Sequence, residues 1–210
     1  MDIRLKPIFD NVISGKKADV EGGVRDAIDA KVEPERILNE ALISAMKEVG
    51  TRFENGEFYV PEMLVAAKAM QSGLAILRPH LVEQGVRSAG KVLMGTVKGD
   101  MHDIGKNLVA MMLEGAGYEI VDLGTDVSPE GFEAAIREHQ PAIVGMSALL
   151  TTTMAKMKTT IKVIEDAGLR SQVKIIVGGA PLTDTYAKEI GADGYAPDAS
   201  RAVTLAKSLT

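Results

Sequence analysis

The sequence predicts a helical bundle followed by an α/β domain built on a parallel sheet, and three observations carry that prediction. Up to Glu83 the apolar residues recur at helical spacing with no alternating strand pattern. From Lys91 onward, short β-rich runs alternate with helical stretches. Between the two lies the polar, glycine-containing segment Glu83-Gln84-Gly85-Val86-Arg87-Ser88-Ala89-Gly90. The expected division is a helical domain over residues 1–88 and an α/β domain over 89–210, with the boundary in this segment.

In the first domain, Leu5–Ser14 and Asp19–Lys31 read as short helices broken by Gly15 and by the Gly22-Gly23 pair. A third helix opens at Pro34, a favourable first-turn residue, and places Leu38, Leu42, Ala45, Met46, Val49 and Phe53 on one face. After the turn Glu54-Asn55-Gly56-Glu57, the residues Met63, Ala67, Met70, Leu74, Leu77 and Leu81 alternate steps of four and three, as a bundle seam does. Four helices joined by short turns make an antiparallel four-helix bundle.

In the second domain, strands are expected at Lys91–Val97, Glu119–Leu123, Ala142–Met146, Lys174–Val177 and Gly194–Ala196. They alternate with helices near Ile104–Glu114, Pro129–His139, Thr153–Ala167, Thr183–Ile190 and Ser200–Leu209. This alternation with short connections means right-handed crossovers and a sheet covered on both faces; five strands suggest the flavodoxin-like, Rossmann-like order.

Composition narrows the function. The net charge of −5 disfavours a nucleic-acid surface, which needs clustered Lys and Arg. The absence of cysteine excludes disulfides, Cys-ligated zinc and iron–sulfur clusters. The N-terminus Met1-Asp2-Ile3-Arg4-Leu5-Lys6-Pro7 has no apolar signal region and no apolar run approaches spanning length, so a cytoplasmic protein without membrane contact is expected. Eleven methionines point first to ordinary core packing.

The stretch Gly95-Thr96-Val97-Lys98-Gly99-Asp100-Met101-His102-Asp103-Ile104-Gly105-Lys106-Asn107 sits where the first strand hands over to its helix, at the ligand edge of such a sheet. The same edge collects Asp122–Asp126, Ser147–Thr153 and Gly178-Gly179-Ala180. Hydroxyls and bare glycines offer hydrogen bonds and close backbone approach rather than a nucleophile with a base, which suits a pocket for a long polar ligand. Small-ligand alternatives fail on spacing. Asp100 stands where a phosphate loop needs its Lys-Ser/Thr, and no G-x-G-x-x-G opens the first helix. His80, His102 and His139 are too scattered for zinc, and Asp100 with Asp103 makes a poor hydrolytic pair on a tight loop.

Asp100-x-His102-x-x-Gly105, then Ser147-x-Leu149, then Gly178-Gly179, is similar to the signature of cobamide (vitamin B12)-binding domains that bind the cofactor base-off, His-on. Over its whole length the chain resembles the cap-plus-binding pair of methionine synthase, and the stand-alone corrinoid proteins of methylamine, methanol and O-demethylase methyltransferase systems. The resemblance implies that His102 is the lower axial ligand of cobalt, that Asp100 holds its other ring nitrogen, and that Thr153 takes the place of a serine in the relay. It implies that the displaced nucleotide tail passes Gly105, Ser147, Leu149, Thr151, Gly178 and Gly179, with glycine required so that no side chain fills the channel. It implies further that the bundle, through Phe53, Val60, Met63 and Leu64, caps the upper face of a cobalamin or related cobamide. The function implied is a methyl carrier cycling between Co(I) and methyl-Co(III), not catalytic alone. It would be loaded by a donor-specific methyltransferase, unloaded by a second methyltransferase, and restored by a reductive activase. The alternatives are the cobamide-binding subunit of a carbon-skeleton mutase, which typically lacks the cap, and a cobamide-dependent sensor, which would bring a further domain.

Overall fold

A computed structural model describes residues 2–86 and 88–210 of the chain. Met1 and Arg87, which belong to the N-terminal and boundary readings above, lie outside the described residues. The chain divides into two compact units, a helical one extending to Ser88 and an α/β one beginning at Ala89; the short stretch Glu114–Gly117 groups with the first.

The helical unit contains α1 (Lys6–Ile13), α2 (Lys17–Asp29), α3 (Pro34–Arg36), α4 (Ser44–Glu54) and α5 (Val60–Glu83). Pro7, Pro34 and Pro61 each stand in a first turn, where the missing N–H costs nothing. The Glu62 carboxylate accepts the Tyr59 N–H at 3.0 Å and closes the start of α5. Ile8, Val12, Val20, Val24 and Ala27 meet the buried stripe of α5 that includes Met70, Leu74 and Leu77. At Gly73 α5 approaches α2 closely, since a Cβ there would stand 2.8 Å from Val20 Cγ1.

Two expectations need correction here. The third helix is not uniform: a π-helical segment, Ile37–Ile43, joins α3 to α4. Its wider i→i+5 turns rotate the apolar face by about one residue, so Ile37 and Ala41 are buried where Leu38 was expected to lead. Also, α5 is long and apolar enough to cross a membrane by length and composition, with a window of mean hydropathy 1.2. Its apolar residues are largely used up inside the helical unit, from Met63 to Leu81.

The α/β unit runs β1 (Lys91–Thr96), α6 (Ile104–Gly115), β2 (Glu119–Asp122), α7 (Pro129–His139), β3 (Ile143–Ser147), α8 (Thr151–Asp166), β4 (Lys174–Gly178), α9 (Asp184–Glu189), β5 (Gly194–Tyr195) and α10 (Ala199–Leu209). All strand pairs are parallel and the order is β2-β1-β3-β4-β5, the flavodoxin-like order. Leu93, Val144, Ile175 and Val177 turn to one face and pack with Phe132, Ile136, Met157, Ile161 and Ile164 of α7 and α8. The alternate residues Val92, Met94, Ile143 and Ile176 are just as buried, so both faces are covered and the strands read as continuous apolar runs. The register pairs Thr96 with Ser147 and Ser147 with Gly178, which brings the three strand ends level at the C-terminal edge. Several boundaries shift by a residue, and α8 starts two residues earlier, at Thr151, so Thr151 and Thr152 belong to its first turn.

Phe132 has no exposed surface and fills the space left by Gly95, where a Cβ would lie 2.6 Å from its Cζ. Phe132→Ala should destabilise the protein by about 3–5 kcal/mol, measured as a lowered urea midpoint at unchanged slope.

Candidate functional site

At the C-terminal edge of the sheet, the loop from β1 to α6 is built around one buried carboxylate. Asp100 has no exposed surface. Its Oδ1 accepts the backbone N–H of His102 at 3.1 Å and the ring Nδ1–H of His102 at 2.7 Å. Its Oδ2 accepts the Thr153 hydroxyl at 2.7 Å and the Leu149 and Leu150 amides at 2.8 and 3.3 Å. The last three donors lie at the N-cap of α8, just before it and in its first turn, so a carboxylate from the first strand's loop ties down the entry to the third strand's helix. Burial is the largest single influence on Asp100 and pushes its carboxyl up. The Thr153 hydroxyl, the Leu149 amide and the two His102 donors together outweigh it and hold the carboxyl well below the usual carboxylate range.

An ionised partner at Nδ1 fixes the His102 tautomer and leaves the lone pair on Nε2. The His102 side chain is 51% exposed while Asp100 is sealed. Exposed apolar side chains stand on the same edge: Met101 and Ile104 beside His102 along the chain, Leu149 and Leu150 at the neighbouring strand end.

The loop is braced from the side by the β2–α7 connection. Asp126, held at φ +56°, donates its N–H to the Asp100 carbonyl at 3.0 Å. Its carboxylate accepts the Gly99 amide at 2.7 Å and Lys98 Nζ at 2.9 Å, first the amide and then the ammonium holding it below its ordinary range. Beneath, the ammonium of Lys106 is buried and saturated, at 2.6 Å from both Asp122 oxygens and 2.7 Å from Asn107 Oδ1. Asp122 in turn accepts the Gly124 amide at 2.9 Å. The sequence places Asp122–Asp126 at this edge but does not show these pairings. The only available signal was a lysine set among apolar residues on α6, whose partner lies on another strand. Asp103 precedes the first turn of α6 and accepts the Asn107 side-chain amide at 3.0 Å.

The other residues implied by the motif fall into two groups. Ser147, Leu149, Thr151, Gly178 and Gly179 share the edge with His102, and among the described residues the hydroxyls of Ser147 and Thr151 have no hydrogen-bond partner. Phe53, Val60, Met63 and Leu64 belong to the helical unit. Val60 is exposed and Phe53 and Leu64 are half-buried. Met63 is fully buried and presents no surface to a bound group, so packing accounts for it. The reason for the glycines also needs correction. At Gly179 the backbone itself demands glycine, because φ is +140° and a Cβ would lie 1.9 Å from the Ala148 carbonyl oxygen. At Gly178 a Cβ would press on the Ala196 carbonyl oxygen at 3.2 Å. Of these three glycines, Gly105 is the one at which a Cβ would meet no atom within 4 Å, so nothing in the fold asks for glycine there.

Among the described residues no three His, Asp or Glu side chains converge as a metal site. A single fixed imidazole therefore fits a metal that arrives with its other ligands already attached, as in a macrocycle. The free Nε2, the surrounding apolar side chains, the unpartnered hydroxyls and the open space at Gly105 are suited to such a group.

Comparison with known proteins gives the same answer. The B12 binding domain family matches residues 90–204, and a second B12 binding domain family matches residues 5–78. A dimethylamine corrinoid protein of Methanosarcina acetivorans is 42% identical, over 98% of this chain and 96% of that protein. A corrinoid protein of Desulfitobacterium hafniense is 41% identical, over 94% and 93%. The methanol:cobalamin methyltransferase complex MtaBC from Methanosarcina barkeri superimposes with a TM-score of 0.88 at 28% identity, over 99% of this chain and 80% of that one. With one family match spanning more than half of its 210 residues and relatives aligned along nearly all of it, the chain belongs to the B12-binding corrinoid proteins.

Proposed function

We propose that this chain is the methyl-carrying corrinoid component of a multicomponent methyltransferase, and that it binds its cobamide base-off with His102 as the axial ligand. The observation that carries the reading is the exposed His102 imidazole, fixed at Nδ1 by a buried, ionised Asp100 and free at Nε2. When bound, the corrinoid supplies a cobalt centre that takes a methyl group from one partner and yields it to another. His102 directs its Nε2 lone pair toward that centre, Asp100 keeps the proton on Nδ1, and Thr153 with the α8 amides keeps Asp100 charged. Gly105, Ser147, Leu149, Thr151, Gly178 and Gly179 line the way for the nucleotide tail. The helical unit is the cap, offering apolar surface from Phe53, Val60 and Leu64, and its own match to a B12 binding family supports that role.

The partners are a donor-specific methyltransferase, an acceptor methyltransferase and a reductive activase, all meeting the carrier in the cytoplasm. The similarity to a dimethylamine corrinoid protein and to a methanol methyltransferase complex supports a donor bearing a methyl group on nitrogen or oxygen.

Three outcomes follow from this assignment. In cobalamin-loaded protein reduced to Co(II), an axial nitrogen splits each cobalt resonance into a triplet. Labelling the histidines with nitrogen-15 should turn the triplet into a doublet, and His102→Ala should abolish that response. A triplet indifferent to the label would mean that the cofactor's own base remains the ligand. Gly105→Leu should leave the melting temperature of the apoprotein unchanged or slightly raised, since helical glycine costs about 1 kcal/mol, yet cut cobalamin binding at least tenfold by equilibrium dialysis. Unaltered binding would remove Gly105 from the tail path.

The third concerns acid. Asp100, with its carboxyl lowered in the folded chain, contributes stability that is complete above the unfolded value of about 3.9 and is lost as pH falls through the lower folded value. Asp100→Asn apoprotein should therefore be less stable by about 1–3 kcal/mol at neutral pH, and the gap should narrow on acidification. Urea midpoints between neutral and strongly acidic pH measure it; a gap independent of pH would show that the charge contributes nothing.

A further inference from the structure

His102 is held at more places than its ring. Its N–H is taken by Asp100 Oδ1 at 3.1 Å, and its carbonyl oxygen accepts the hydroxyl of Thr96 at 3.0 Å. Thr96 is the last residue of β1 and has no exposed surface. Its backbone is fixed on both sides, the N–H donating to the Gly124 carbonyl at 3.0 Å and the carbonyl accepting the Val127 N–H at 2.9 Å. Gly124 is itself held by Asp122, which is clamped by the buried Lys106. The Thr96 side chain is therefore a rigid post set in the sheet, with its single donor aimed at the residue whose imidazole projects from the edge.

On this basis we infer that Thr96 is a positioning residue for axial ligation, an inference that rests on His102 being the cobalt ligand. Asp100 sets the ring's tautomer and one side of the His102 backbone, and Thr96 sets the other side. Without the hydroxyl, the peptide after His102 can rotate, and the rotation carries the Cα–Cβ bond and hence Nε2 away from its aim. A ligand atom needs placement within about half an ångström to bond well, so a loose backbone weakens ligation even with the Asp100 contact intact. The β1 register does not depend on the hydroxyl, because its ladder bonds are all main-chain. Valine at this position keeps the shape and loses only the donor.

The test uses full-length protein carrying nitrogen-15 histidine, loaded with cobalamin and reduced to Co(II), as wild type and as Thr96→Val, Thr96→Ala, Thr96→Ser and Asp100→Asn. The readout is the ratio of histidine-ligated to histidine-free cobalt, taken from the nitrogen splitting, with amide exchange at His102 measured in the apoproteins. Thr96→Val should lower the ratio about fivefold, the factor expected for one hydrogen bond of ordinary net strength, and speed His102 exchange by a similar factor. Thr96→Ser should restore wild-type values on both. Thr96→Ala repeats the loss should the valine variant fold poorly, as judged by its circular dichroism. Wild-type ratios in both donor-less variants overturn the inference, and so does loss of ligation in Thr96→Ser, which keeps the donor. If wild-type protein itself gives no histidine splitting, the ligand assignment fails and this inference with it; intact wild-type splitting beside an unaffected Thr96→Val removes Thr96 alone.

Discussion

The site depends on one buried charge. Asp100 is sealed from solvent, and an ionised carboxylate without partners in such a place would be prohibitively costly. Five donors meet it, and their division between the two oxygens decides the architecture. One oxygen belongs to His102, ring and backbone, while the other belongs to Thr153 and the first amides around α8. The ligand loop of β1 and the helix after β3 are therefore fastened through a single side chain. Neither can move without leaving a charge or several amides unsatisfied, so the direction of the imidazole is set by the packing of the domain.

The supports around that carboxylate are also main-chain or charged, and they come from the strand on the other side. Asp126 grips the loop at Gly99, Lys98 and the Asp100 carbonyl, while Lys106 and Asp122 pin α6 to the end of β2. Parallel topology makes this possible, since the C-terminal ends of β2, β1 and β3 lie side by side and their loops can exchange hydrogen bonds. A buried lysine paired with a half-exposed aspartate is an uneven ion pair. Removing Lys106 would free a carboxylate that water can reach, whereas removing Asp122 would strand a buried ammonium.

The order of elements was legible in the sequence because it rests on period. Steps of three and four gave the helices, and β-branched runs closed by glycine gave strands whose bounds fall within a residue or two of those observed. The π-helical segment was not legible, since Ile37–Ile43 is as apolar and as evenly spaced as any α-helix, and the extra residue per turn leaves no mark in composition. In the site, Asp100, His102 and Thr153 could be named from motif spacing, and their side chains do meet. The bracing roles of Thr96, Lys106, Asp122 and Asp126 could not be read: Lys106 meets Asp122 and Asp126 meets Gly99 across different elements, and Thr96 acts on a main-chain carbonyl, so spacing along the chain carries no trace of these contacts. Gly179 shows the converse difficulty. A glycine in a ligand motif invites a ligand explanation, yet a contact of 1.9 Å between its would-be Cβ and the Ala148 carbonyl oxygen shows that the fold alone demands it.

That contrast sharpens what Gly105 and His102 have in common. Each departs from what folding alone would select: a glycine inside a helix where a Cβ would meet no other atom, and a histidine held at its N–H, its carbonyl and its ring Nδ1 yet left open at Nε2. Helical glycine costs stability, and ordering an exposed side chain costs entropy. The cost at Gly105 is not returned by a contact of the position itself, and the ring of His102 is held at Nδ1 alone, whereas the buried side of the same loop is saturated with hydrogen bonds. An edge satisfied on its inner side and left open on its outer side is one whose remaining interactions are supplied by a ligand. The exposed apolar side chains Met101, Ile104, Leu149 and Leu150 mark the same boundary, so a ligand that spans them must be broad and largely apolar across its face, with polar groups for the hydroxyls of Ser147 and Thr151.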